Sequence, residues 1–188
     1  MSSNPTPSGP EKITYRGRML EIVEQPMKIG EKEVVFESAR RAPGVRLIVP
    51  LPENKILLTR EYRTYLNSYD FRLPGGKVID SLDEYNTFLE SKADIVEKAR
   101  EAAIKEAREE VGILVSDLEL FAVSKCGGSL EWDLYYFVVK SFRESVQELE
   151  HGEDITLAPT SRHEVRAMCL DGRIQEDRSA LMLLRFLK

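Results

Sequence analysis

The chain has 188 residues, 42% of them hydrophobic and 31% charged, with a formal net charge of −5. That length and apolar share suit one compact domain with a small appendage and argue against two full domains. The acidic balance supplies no basic field to hold a nucleic-acid backbone, so a phosphate-bearing partner has to be small and gripped by local arginines and metal ions.

Residues 1–12 are rich in Ser, Pro and Asn and offer nothing to pack, which predicts a disordered tail without an apolar signal core. Ile13 to Tyr15, Met19 to Glu24 and Glu33 to Glu37 read as short strands, the last two parted by the turn Lys28-Ile29-Gly30, so residues 13–42 form a small β appendage. The main domain is expected over residues 43–188. Val45 to Leu51 and Lys55 to Tyr62 are β-branched and apolar and are joined by Pro52-Glu53-Asn54, the composition of a hairpin. Residues 77–91 then read as an insertion that holds a short amphipathic helix, with Leu82, Tyr85, Phe88 and Leu89 on one side after a Ser81-x-x-Glu84 cap. Ser91-x-x-Asp94 offers a second capping box before a long helix whose Ile95, Ala99, Ala102, Ala103 and Val111 share a side.

Beyond that helix, Leu118 to Val123 and Trp132 to Lys140 read as strands and Arg178 to Leu187 as a terminal amphipathic helix. The order of strands, helix, strands, helix predicts an α/β (α+β) domain with a mixed sheet flanked by helices. No run approaches eighteen apolar residues, so no membrane span is expected and the predicted location is the cytoplasm. Cys126 and Cys169 are too few for a disulfide framework, and His151 and His163 have no ligand spacing.

The most informative stretch is the end of the long helix. Glu106, Glu109 and Glu110 stand at i, i+3 and i+4, with Gly112 closing the helix behind them. Like charges so placed cost an isolated helix roughly 0.2–0.5 kcal/mol per pair, and a divalent cation would turn that cost into a binding site. An acidic helix is ordinarily only a solvated face, because Glu is a good helix former. What favours the metal here is the company of Leu73-Pro74-Gly75-Gly76 upstream and Gly112-Ile113 downstream.

Together these residues resemble the signature of the Nudix hydrolases, which runs Gly, five residues, Glu, seven residues, Arg-Glu-aliphatic-x-Glu-Glu-x-Gly-aliphatic. Gly112-Ile113, Glu109-Glu110, Glu106 and Glu97 fall on it, while Lys105 stands at the Arg position and Ser91 at the first Gly. Gly76 of the Pro-Gly-Gly turn is the matching glycine, but twenty residues separate it from Glu97 where the pattern has five. The resemblance implies the Nudix α/β/α sandwich, with Mg²⁺ (or Mn²⁺) held by Glu106, Glu110 and the Gly76 carbonyl. Glu109 is a further ligand or the group that orients the water. It also implies a Glu97–Lys105 brace along the helix, weaker than the family's Glu–Arg pair because Lys lacks a bidentate fork.

Thr59-Arg60-Glu61-Tyr62-Arg63 and Phe71-Arg72-Leu73 are similar to the ADP-ribose and nucleotide-sugar pyrophosphatases. That branch implies Arg63 as the residue that meets substrate phosphate, with Arg72 as a second substrate-binding candidate where the branch commonly has Glu. The loop Glu150-His151-Gly152-Glu153-Asp154-Ile155 resembles the branch's Glu-rich loop and makes Glu153 the candidate general base. Lys125-Cys126-Gly127-Gly128-Ser129 falls where the branch places a proline-containing loop and has no proline. The expected activity is metal-dependent hydrolysis of a nucleoside diphosphate linked to a sugar, in a homodimer joined through the N-terminal strands. A non-catalytic nucleotide-binding protein on the same fold is the alternative.

Overall fold

The computed structural model describes residues 4–188, and the first three residues of the predicted tail lie outside that range. The chain divides into two compact units, one of the residues up to Pro43 with 79–93 and 125–133, the other of residues 44–78, 94–124 and 134–188. The stretch 77–91, read from sequence as an insertion in the main domain, belongs almost wholly to the first unit.

The first unit is built on a five-stranded sheet of β1 (Thr6–Pro7), β2 (Lys12–Arg16), β3 (Glu21–Ile29), β4 (Lys32–Arg40) and β9 (Leu130–Glu131). β3 and β4 form one long hairpin through Gly30 and are nearly twice the length the local turn signals suggested. Where the sequence predicts a loose tail, Thr6–Pro7 pairs with Met27–Lys28, and Ser8 N–H donates to the Pro26 carbonyl at 3.0 Å. The long β3 edge supplies backbone partners that the tail's own side chains could not announce. Helix α1 (Leu82–Ser91) starts at Ser81, whose hydroxyl accepts from Glu84 N–H at 3.2 Å, as its capping residues predict. It is tied within this unit by Asn86, which donates to Glu21 at 3.2 Å, and by Asp83, 3.1 Å from Arg16.

The second unit carries a six-stranded mixed sheet in the order β11-β6-β5-β10-β8, with β7 also paired to β6. Its strands are β5 (Gly44–Leu51), β6 (Lys55–Arg63), β7 (Ser68–Arg72), β8 (Ile113–Ser124), β10 (Leu134–Glu144) and β11 (Ile155–Ser161). β5 runs parallel to β10 and antiparallel to β6. Leu47, Ile48 and Val49 in β5 and Tyr136 and Phe137 in β10 have no exposed surface, the continuous apolar run expected of strands covered on both faces. Each such side chain contributes roughly 1.5–3 kcal/mol by leaving water. Helix α2 (Ile95–Glu106) packs on β5, β8 and β10 through the buried small residues Ala99, Ala102 and Ala103. Helix α3 (Arg162–Asp171) packs on β6 and β11 and against α4 (Asp177–Phe186).

Two local expectations change. The N-cap of α2 is Asp94, whose carboxylate accepts from Val96 N–H at 2.8 Å, while the Ser91 hydroxyl donates backwards to the Phe88 carbonyl and serves the end of α1. The helix also does not continue as α to Val111. Residues Ala107–Val111 wind as a π-helical segment that Gly112 ends at φ 69°. The segment 145–148 takes up its last carbonyls: Ser145 N–H donates to Gly112, Glu148 N–H to Glu109 and the Gln147 amide to Glu110. Carbonyls at a helix end need partners outside the helix, and π turns of this kind gather at functional sites.

Candidate active site

Every candidate site residue lies in the second unit, where the ends of β6 and β7, the turn after β7, α2, the π-helical segment and the loop before β11 supply them. Glu110 is 8% exposed, and its Oε2 accepts from Gly75 N–H at 2.6 Å. Gly75 holds φ 141° so close to β5 that an added Cβ would stand 2.2 Å from the Val45 carbonyl oxygen, which leaves room for glycine alone. Glu106 lies against the next residue. A Cβ on Gly76 would meet Glu106 Oε1 at 2.0 Å. The Gly76 carbonyl accepts from Val45 N–H at 3.0 Å and keeps a second lone pair. The Pro-Gly-Gly turn is thus a cradle for two carboxylates: β5 fills the space a side chain on Gly75 would need, and Glu106 the space one on Gly76 would need.

The electrostatics of the pair follow from burial. Loss of water pushes Glu106 up to about 7, with Glu109, Glu153 and Glu150 adding to the rise and Lys105 opposing it. Glu110 is pushed up to about 8, again by burial first, with Glu106 and Glu153 adding and the Gly75 amide and Arg46 opposing. Glu109 is turned to Lys105, 3.3 Å away, and Glu153 Oε2 accepts from Glu150 N–H at 2.9 Å. Among the described residues no three His, Cys, Asp or Glu side chains stand together in a metal-holding group. Glu106 and Glu110 are the converged pair, and Glu109 and Glu153 share their field from neighbouring positions. Carboxylate and carbonyl oxygens are the donors that hard divalent cations take, and a cation is the group that would offset like charges on one buried and one part-buried carboxylate. The residues therefore fit a Mg²⁺-class ion.

The brace expected between Glu97 and Lys105 is not how these side chains are used. Eight residues put roughly 12 Å of helix between them. Lys105 ion-pairs with Glu109 at 3.3 Å and Glu150 at 3.8 Å, while Glu97 lies 3.7 Å from Arg100. The bidentate clamp on this end of the helix comes from Arg108, which donates to both oxygens of Glu148 at 2.8 Å.

The predicted arginines stand at the ends of β6 and β7. Arg63 Nη2 is 2.5 Å from Glu61 Oε2, and its buried Nε has no hydrogen-bond partner. Arg72 Nε is 2.5 Å from the fully buried Asp70, and its Nη2 donates to the Tyr65 hydroxyl at 2.7 Å. Glu61 joins these arginines to the acidic side: burial raises its pKa, Arg63 and Arg72 oppose the rise, and Glu153 adds to it. Strand register explains the meeting, because Ile155 pairs with Glu61 and so sets the preceding loop beside the end of β6. His151 and His163 do not enter the acidic pair, and Cys126 and Cys169 are free thiols.

Sequence reasoning missed Glu61, Gln147 and the buried pair of Arg46 and Glu176, whose atoms approach to 3.1 Å. Arg46 did leave a signal, a lone charge in the apolar run Val45-Arg46-Leu47-Ile48-Val49. Among the described residues of the first unit, one cavity of about 520 Å³ is walled by Glu11, Arg16, Arg40 and Asn86 and another of about 490 Å³ by Val23, Met27, Val35 and Phe36. Neither includes any of the acidic residues of the second unit described above.

A family model for the NUDIX domain matches residues 40–171. Among solved structures, the crystal structure of an ADP compounds hydrolase superposes with a TM-score of 0.71 at 19% identity, over 98% of this chain and 92% of that one. At that identity the likeness is one of fold. No curated protein matches the chain.

Proposed function

The chain belongs to the Nudix family, and we propose on that premise that it is a metal-dependent pyrophosphohydrolase acting on ADP-ribose or a related nucleotide sugar. The observation that carries this reading is the pair of buried Glu110 and part-buried Glu106 set against Gly75 and Gly76, two carboxylates that loss of water holds well above the ordinary carboxylate range. Structural acid is ordinarily paired, so carboxylates kept short of charge mark a working site.

In this reading Glu106, Glu110 and the Gly76 carbonyl hold Mg²⁺ (or Mn²⁺), with Glu109 as a further ligand or the group that orients water. The bound ion supplies charge neutralisation on the diphosphate oxygens and a more acidic water. Glu153 takes the proton of the attacking water. As the water oxygen bonds to one phosphorus, the bond from that phosphorus to the bridging oxygen breaks and the bridging oxygen leaves on the other phosphate, giving a nucleoside monophosphate and a sugar phosphate. Arg63 binds a phosphate oxygen, which would satisfy its buried Nε, and Arg72 is the second candidate, with Nε and one Nη already engaged. The likeness to an ADP compounds hydrolase supports the substrate class.

The same reading takes the protein to be a cytoplasmic homodimer joined through the N-terminal strands. No helix among the described residues is long and apolar enough to cross a membrane. Ile13, Val35 and Phe36 on the N-terminal sheet are 42%, 60% and 47% exposed, apolar surface that a second copy would cover. Size-exclusion chromatography with light scattering tests this, and a monomer removes the dimer. The activity is tested by release of nucleoside monophosphate from ADP-ribose, ADP-glucose, GDP-mannose and UDP-glucose, with Mg²⁺ and with EDTA. Metal-dependent release is the expected result. Thermal stabilisation by one of these ligands without turnover would replace the hydrolase with a nucleotide-binding protein.

A further inference from the structure

Arg46 sits in the middle of an apolar strand with 8% of its surface exposed, and its guanidinium is engaged on two sides. Nε and Nη2 donate to the two oxygens of Glu176 at 3.1 Å each, a bidentate pair. Nη1 donates to the Val45 carbonyl at 2.8 Å and reaches the Gly75 carbonyl at 3.5 Å. Glu176, the residue before α4, is fixed in turn by the Ser179 hydroxyl at 2.5 Å. Gly75 then donates its N–H to Glu110 at 2.6 Å.

A continuous series of hydrogen bonds therefore runs from Glu176 through Arg46 and Gly75 to Glu110. It matters because Gly75, with no Cβ, has the widest choice of backbone angles of any residue type and needs outside contacts to hold φ 141°. Leu47 N–H fixes the Pro74 carbonyl at 2.8 Å and Val45 N–H fixes the Gly76 carbonyl at 3.0 Å. The carbonyl between them, that of Gly75, is the one Arg46 takes. We infer that Arg46, oriented by Glu176, is a positioning residue that holds the Gly75–Gly76 peptide in place between Glu110 and Glu106. A buried ion pair in an apolar strand is a poor device for stability alone, since a matched apolar pair does as well. Here it supplies a directed donor that an apolar residue lacks.

The inference deepens the hydrolase reading and rests on it only where metal affinity is measured. The test uses the full chain with Glu176→Gln, two contacts away from Gly75, and Arg46→Lys as the second variant should the first not fold. The ¹H–¹⁵N resonances of Gly75 and Gly76 are followed in metal-free protein, and Mn²⁺ affinity is titrated by electron paramagnetic resonance. The expected result is that both glycine resonances move while those of β8 stay, and that Mn²⁺ binds about tenfold more weakly, the usual size of an effect exerted through a ligand's neighbour. Unmoved glycine resonances in a folded variant, or moved resonances with Mn²⁺ affinity intact, would overturn the inference and leave the pair as a tie between β5 and α4. If Mn²⁺ binding survives Glu110→Gln, the metal assignment fails, and the glycine resonances judge the positioning by themselves.

Discussion

The protein buries glutamates in both of its units and treats them in opposite ways. In the N-terminal unit Glu21 is fully buried, but Arg16 lies 2.9 Å from one oxygen, Arg40 3.8 Å from the other, and Asn86 donates at 3.2 Å. In the second unit Glu106 and Glu110 are drawn from water toward each other, with further carboxylates and no full complement of cations around them. The first arrangement finds its cations within the chain, although Glu21 Oε1 accepts no hydrogen bond. The second has only the partial opposition of Lys105 and Arg46, and that difference separates a carboxylate paired into the fold from the two that the proposed reading assigns to a metal.

Neutralising one member of each set puts this contrast under the most strain. Glu110→Gln should lower Mg²⁺-dependent turnover roughly a thousandfold, the scale of several kcal/mol of metal-derived stabilisation. The metal-free variant should melt no lower than the unaltered protein at pH 8. A variant that keeps most of its activity would remove Glu110 from the site. Glu21→Gln should do the reverse, costing about 1–3 kcal/mol of stability in denaturant titration by leaving buried donors under-satisfied. Its kcat per folded molecule should not change.

A smaller effect tells the two sets apart through pH. With Glu106 at about 7 and Glu110 at about 8, both above the ordinary 4.5, the folded metal-free protein holds protons that the unfolded chain gives up. Their contribution is fully present below pH 4.5 and is lost as pH rises through 7 and 8. Melting temperatures in EDTA should therefore fall across that window, and saturating Mg²⁺ should flatten or reverse the slope because it binds the ionised pair. Equal slopes with and without metal would count against the site. The smallest effect belongs to Lys105→Arg, whose own side chain is half exposed between Glu109 and Glu150. Turnover within about twofold of the unaltered protein is expected, since exposed ion pairs contribute little.

The candidate site was legible in sequence, as a set of residues brought together, where chemistry and backbone demands coincide. Glu106 and Glu110 are named by spacing, and Gly75 and Gly76 by the turn that must admit them. The Ser81 cap and the buried runs of β5 and β6 are local features and read out locally. What was hidden is non-local. The tail's pairing depends on the β3 edge, and Glu61 meets the field of Glu153 only through its register with Ile155. β11 was overlooked because Pro159 breaks an apolar run, although an edge strand tolerates proline. The carbonyls that end the π winding of Ala107–Val111 find their partners in residues 145–148, far along the chain. The Glu97–Lys105 brace misled because sequence spacing is silent about nearer partners.

The division of the chain has a practical consequence for anyone who would take the molecule apart. The backbone passes between the units at 43/44, 78/79, 93/94, 124/125 and 133/134. A single protease cut therefore cannot release either unit as a continuous fragment. Removing the first 43 residues would strip α1 of Arg16 and Glu21 and β9 of its partner strand, exposing two orphaned excursions of the remaining polypeptide. What reads along the sequence as a small β appendage shares its unit with residues 79–93 and 125–133, so truncation is the wrong tool for assigning its role and point substitution is the right one.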